Sequence, residues 1–167
     1  MLYQNHLPEE NPNPVPRSKF HELYVVKLME LYYWEMKMLE TLTLLQSSSE
    51  SSVLQKKIAM YHIRKGEQVE NLQQIFILLD LPIAGKKCNM ITLMLESCEK
   101  LTKVSNVAND DQIYSMLLTI SHFNQTSYNW LISLSENLQM PDILFCLNAN
   151  LTMEQEFTIR LSEVLED

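Results

Sequence analysis

The chain of 167 residues is long enough for one domain with a sizeable core, since a domain of this size buries roughly two thirds of its unfolded surface. Two glycines, ten methionines and long periodic segments argue against a turn-rich sheet and for an all-α class. A net charge of -8, with no basic run denser than Lys56 and Lys57 or Lys86 and Lys87, argues against nucleic acid as a partner. No segment reaches the about 20 apolar residues of a membrane span. Cys88, Cys98 and Cys146 are odd in number and lack metal-ligand spacing, so they read as free thiols, and the expected compartment is the cytoplasm.

In chain order, residues 1–17 carry Pro8, Pro12, Pro14 and Pro16 and cannot form a helix, which predicts a proline-rich arm ahead of a bundle over 18–167. Ser18 is a candidate N-cap, and a first helix is predicted to about Leu45. Its inward stripe is Tyr24, Leu28, Leu31, Glu35, Met38, Leu42 and Leu45, apolar except for Glu35 at its middle. The neighbouring line Val25, Met29, Tyr32, Met36 and Leu39 is wholly apolar, so Glu35 is expected to face another helix or to snorkel at the stripe's edge. Lys27, Glu30, Trp34, Lys37 and Thr41 form the expected outer line. Tyr33 and Trp34 on it suggest a subunit contact, and a homodimer is expected.

The serine-rich run Gln46 to Ser52 predicts a tight antiparallel connection in which a serine caps the next helix. That helix, from about Val53 to Leu79, has the inward line Leu54, Ile58, Tyr61, then Arg64 or Lys65, then Gln68, Leu72, Ile75 and Leu79. Pro82 and Gly85 are read as its end. A shorter helix over Met90 to Val104 carries the chain back along the bundle, and Ser105, Asn106, Asn109 and Asp110 mark the loop that follows. The third long helix, about Asp111 to Leu138, turns Ile113, Leu117, Ile120, Asn124, Tyr128 and Leu131 inward. Pro141 suits the first turn of the last helix, with Asp142 at its positive end. Its stripe runs through Leu144, Leu147, Leu151, Glu154, Thr158, Leu161 and Leu165. Four long helices thus each carry a polar residue near mid-height, namely Glu35, Arg64, Asn124 and Glu154, which suggests a shared polar layer with Gln68 beside it.

Particular residues then resemble the YciF-like branch of the ferritin-like superfamily. They are Tyr32 with Glu35, Gln68–Glu70 leading to Leu72 and Phe76, the turn Gly85, Lys86, Lys87, Cys88, and His122, Phe123 with Ser127, Tyr128. The resemblance spans about Phe20 to Leu165. It implies a ferritin-like four-helix bundle with an additional short crossover helix, often a dimer, in a group associated with bacterial stress responses and largely of undefined activity. Such bundles hold two metals with inward carboxylates and histidines. Position by position, Glu35, Glu154 and His122 match the group's ligands. Arg64 stands where it has a glutamate and Tyr61 where it has a histidine; Ser121 and Asn124 replace two glutamates, and Thr158 an aspartate. His122 also reads as an ordinary, partly exposed helix histidine, and the methionine excess as core filling rather than copper ligation.

A guanidinium has no acceptor and cannot ligate, so the matched positions imply lost metal chemistry, with no resident cofactor. The expected function is a stress-associated, non-catalytic binding or structural protein with a degenerate di-metal site. The alternatives are a di-iron or di-manganese oxidoreductase resembling a ferroxidase, and a helical protein-interaction adaptor. Arg64 is the expected cation between Glu35 and Glu154. Lys65, one residue round the helix, takes that place if Arg64 turns to water.

Overall fold

A computed structural model of the chain describes residues 17–103, 107–137 and 140–163. These residues form α1 (Arg17–Ser48), α2 (Ser52–Leu78), α3 (Asn89–Thr102), α4 (Val107–Asn137) and α5 (Pro141–Ser162), with no strand among them. The proline-rich arm ahead of Arg17, the side chain of Ser18, the loop residues Ser105 and Asn106, and Leu165 lie outside the described residues.

The helix ends follow from local chemistry. Ser51 accepts the Leu54 N–H at 3.2 Å and caps α2, while Pro141 begins α5, where its missing N–H costs nothing. The end of α2 is set earlier than Pro82 and Gly85. Asp80 enters the left-handed region at φ 53°, its N–H donates to Ile77 O at 3.0 Å, and that of Leu81 to Phe76 O at 2.9 Å. This is the paired closure that satisfies a helix's last carbonyls, with aspartate in the place glycine usually takes. The fourth helix begins at Val107, so Asn109 and Asp110 belong to its first turn rather than to the preceding loop. Asp110 reaches back to the α1–α2 connection and accepts the N–H groups of Glu50 and Ser51 at 3.1 and 2.9 Å.

Cross-helix bonds set the topology. Tyr24 meets Ser135 while Trp34 meets Asn124, so α1 and α4 are antiparallel. Lys57 reaches Arg160 while Asn71 reaches Asn150, so α2 and α5 are antiparallel too. With a tight α1–α2 connection this leaves α2 parallel to α4, and the chain must travel the bundle's height between them. The α3 helix makes that return beside the second half of α1. It is tied at one end by Lys86 N–H to Met29 O at 3.0 Å and at the other by Ser48 Oγ to Thr102 O at 3.2 Å. The seven expected inward residues of α1, from Tyr24 to Leu45, are all buried.

Two expectations are corrected. Trp34 is fully buried and donates its indole N–H to Asn124 at 2.6 Å, so it is no surface contact. It lies three residues after Leu31 and four before Met38, both buried, and α1 is covered by α2, α3 and α4, so its apolar face is wider than one stripe. Tyr33 is half-buried against the crossover. Arg64 is exposed and pairs with Glu67 at 2.9 Å; Lys65 is the residue that turns inward. Each residue turns an α-helix by about 100°, and Tyr61 and Gln68, four before and three after Lys65, share its face.

Gly85 is needed for close approach rather than for a special dihedral: a Cβ there would stand 3.0 Å from Tyr33 Cβ and 3.2 Å from its Cα. Gly85→Ala is therefore expected to push the crossover off α1 and lower stability by about 1 to 3 kcal/mol. A urea melt of the variant beside the parent checks this, a loss below about 0.5 kcal/mol contradicting it.

Candidate functional site

At mid-height the four long helices enclose a polar layer with a buried ammonium at its centre. Lys65 Nζ lies 2.7 Å from Glu35 Oε2 and in direct contact with Glu154 Oε1, all three side chains being 0% exposed. A buried charge is tolerated only with opposite charge and hydrogen bonds around it, and both are present here. The same nitrogen sits 4.9 Å from the centroid of the Tyr61 ring, which stacks parallel on Phe157 at 3.6 Å.

The two carboxylates are served unequally. Glu154 Oε1 meets Lys65, Gln68 Nε2 at 2.9 Å and Asn124 Nδ2 at 3.2 Å, and Oε2 accepts from Tyr61 OH at 2.8 Å with Ser121 Oγ at 3.0 Å. Glu35 Oε1 accepts only from Tyr128 OH, at 2.7 Å. Its Oε2 has the Lys65 charge beside it but no aligned hydrogen bond. Asn150 steadies the second shell of bonds, donating to Tyr128 OH at 3.2 Å and to Gln68 O at 3.0 Å and accepting from Asn71 at 2.7 Å. Trp34 fixes the Asn124 amide, which also donates to Tyr61 OH at 3.2 Å.

With both acids ionised this layer carries one excess negative charge. The Glu35 carboxyl is pushed above its ordinary value, by burial first, with Lys65 opposing and the charge of Glu154 adding to the rise. The phenols of Tyr61 and Tyr128 are pushed well above their ordinary value, chiefly by burial and then by the neighbouring carboxylates, and act as neutral donors.

Of the positions singled out in the sequence, Glu35, Tyr61, Gln68, Ser121, Asn124 and Glu154 converge here. Thr158 joins from the edge, its hydroxyl 2.8 Å from that of Ser121 and accepting from Gln125 at 2.8 Å. Arg64 and His122 do not converge: both are exposed. Asn150 and the hydroxyl of Tyr128 were not anticipated as members. Asn150 lies four residues before Glu154, and Tyr128 four after Asn124, so the helical repeat places each on the layer's face. Among the described residues no three His, Cys, Asp or Glu side chains come together in a way that holds a metal ion.

Antiparallel hairpins α1–α2 and α4–α5, joined by a crossover that reverses the chain and closed around mid-height carboxylates, define a ferritin-like bundle. The chain belongs to the family described as "Domain of unknown function (DUF892)", whose model matches residues 19–167. Among solved structures it is similar to YcfI from Rhodopseudomonas palustris, described as a candidate structural protein, with a TM-score of 0.82 at 22% identity over 90% of this chain and 97% of the other. It is similar also to the E. coli stress protein YciF, with a TM-score of 0.81 at 19% identity over 87% and 93% of the two chains. A Xanthomonas campestris protein aligns at 0.67 and 17% identity over 88% of this chain and 91% of that one. No curated protein matches the sequence.

Removing Lys65 leaves two facing carboxylates without their cation, so Lys65→Met is expected to cost about 3 to 5 kcal/mol, and exposed Arg64→Ala under about 1. Adding Glu35→Gln to Lys65→Met should recover much of the loss. Denaturant melts of the parent, the two single variants and the double variant measure the coupling; equal small effects at 64 and 65 would refute it. Because the folded chain holds the Glu35 proton more tightly than the unfolded chain, this group's contribution is fully present below about pH 4.5 and is lost as pH rises through its raised value. Glu35→Gln should remove that component of the slope of stability against pH, read from melts across pH 4 to 8.

Proposed function

We propose that this chain is a stress-associated, ferritin-like structural or binding protein whose di-metal site has been replaced by an internal ion-pair layer. The observation that carries the reading is Lys65, whose ammonium stands between Glu35 and Glu154. Two divalent cations need several anionic oxygens. The layer offers two carboxylates already engaged with a cation, and surrounds them with Tyr61, Ser121, Asn124 and Gln68, which are neutral. A protonated lysine has no lone pair to give a metal and repels one. The donor set therefore does not fit a di-metal centre, and no reaction is routed through one.

The helical scaffold keeps what such a cation supplies mechanically, a tie between helices, without redox chemistry. YciF is described as a stress protein, and the shared fold and family support a role of that kind. No helix among the described residues is long and apolar enough to cross a membrane.

Protein purified without chelator and dialysed is expected to hold less than one equivalent of iron, manganese or any other transition metal by elemental analysis. Two equivalents of iron or manganese, retained reproducibly, would overturn the reading in favour of an oxidoreductase.

A further inference from the structure

The α3 helix covers only part of the seam between α1 and α4. It starts level with Met29, where Lys86 is bonded, and runs to Ser48, so among the described residues no helix lies over the seam beside the first half of α1. There a cleft of about 380 Å³ opens between the three helices, toward the lower end of the roughly 300 to 1,000 Å³ that small-molecule sites occupy. Leu31, Ile91 and Leu131, all buried, form its base. The α4 helix contributes the rings of Phe123 and Trp130, and the start of α3 contributes Met90 with Cys88 just before it. Phe123 is fixed from behind: its ring packs edge-on against Trp34, centroids 5.3 Å apart, and Trp34 is itself held by Asn124 of the polar layer. This wall is therefore in place before anything binds, which lowers the ordering cost of binding.

The polar groups of the cleft narrow the choice of ligand. Lys27 and Glu30 neutralise each other across 2.7 Å, so the rim carries no net charge for an ion to answer. Ser127 Oγ donates to Phe123 O at 2.9 Å and Thr126 Oγ1 to His122 O at 3.0 Å, each spending its only proton on its own helix. What these hydroxyls have left to offer is lone pairs. Rings and sulfur favour an aromatic occupant over an aliphatic chain, since edge-on ring contacts and sulfur–ring contacts each add to simple burial. We propose that this cleft binds a small, uncharged aromatic molecule bearing an O–H or N–H donor, of the size and chemical class of a naphthol or an indole. Its rings lie between Trp130 and Met90 over Leu31 and Leu131, and its donor bonds the Ser127 hydroxyl. The site is independent of the ion-pair layer, so a metal found between Glu35 and Glu154 would overturn that reading and leave this one standing.

The full-length protein tests this with β-naphthol as the probe, its methyl ether as the same ring system without a donor, and decanol as an aliphatic alcohol. By calorimetry β-naphthol should bind saturably, one molecule per chain. Cys88, a half-buried free thiol in the wall, reports the place: its alkylation should slow by about tenfold at a probe concentration of about ten times Kd. Cys98 and Cys146 are buried and supply the unaffected background. The methyl ether should bind about fivefold more weakly, the worth of one neutral hydrogen bond, and decanol more weakly still. Ser127→Ala should erase the difference between β-naphthol and its ether, and Trp130→Ala should weaken both by about tenfold. Trp130 is 37% exposed and Ser127 half-buried, so both variants leave the core intact. The proposal is overturned by the absence of saturable binding, or by binding that leaves the Cys88 rate unchanged or survives Trp130→Ala at full strength. Equal affinity for β-naphthol and its ether, or tighter binding of decanol, would overturn the ligand chemistry assigned to the cleft.

Discussion

Everything at mid-height depends on one constraint: two carboxylates face each other inside a helical bundle, and water cannot screen them. Some cation must stand between them, a proton must neutralise one, or the helices must part. In this chain Lys65 places its ammonium between the two acids, and the donors around them are unequally distributed, five around Glu154 against one aligned bond to Glu35. Tyr61, Tyr128, Gln68, Ser121, Asn124 and Asn150 have their conformations prescribed by that arrangement. Through them the four long helices are held in one rotational setting, since a turn of any helix by one residue would strand a buried polar group.

A fixed ammonium and a metal pair solve the same electrostatic problem with different consequences. Metals can leave, exchange and change oxidation state, whereas a lysine on α2 is as permanent as the helix that bears it. Lysine also differs from the arginine that the sequence suggested. A compact ammonium fits between two carboxylates above an aromatic ring, while a guanidinium is broader and needs a planar, bidentate partner on each side. The Lys65 ammonium stands in that way beside Tyr61, whose ring stacks on Phe157.

The fold was legible because it rests on repetition. Long stripes, a serine-capped connection, and breaks at the α2–α3 turn and at Pro141 recur over many residues, so an error of one position changes little. The crossover helix was legible in the apolar run from Met90, and the turn Gly85 to Cys88 carried the resemblance. The site was legible only in part, because a site depends on single positions. Arg64 and Lys65 fit the same stripe to within one residue, and only their neighbours in space select between them. Trp34 was read as outward because one inward stripe was drawn for α1, although three helices pack on it and its apolar arc is correspondingly wide. Asn150 stands one helical repeat before Glu154, which marks its face, but its partners Asn71 and Gln68 emerge only once α2 and α5 are laid antiparallel. Arg64 and His122 carried the right chemistry on the wrong side of their helices.

The bond from Asp110 to the amides of Glu50 and Ser51 has a bearing on how the chain assembles. Each hairpin closes through contacts near in sequence, but this latch spans about sixty residues and joins the first turn of α4 to the bend of the first hairpin. Contacts of that span come late, after local pairs have formed, because loop closure must come first. Until α4 arrives, the two amides have no acceptor but water. Their exchange with solvent deuterium is therefore a clock for the docking of the second hairpin onto the first, separable from the formation of either helix pair alone.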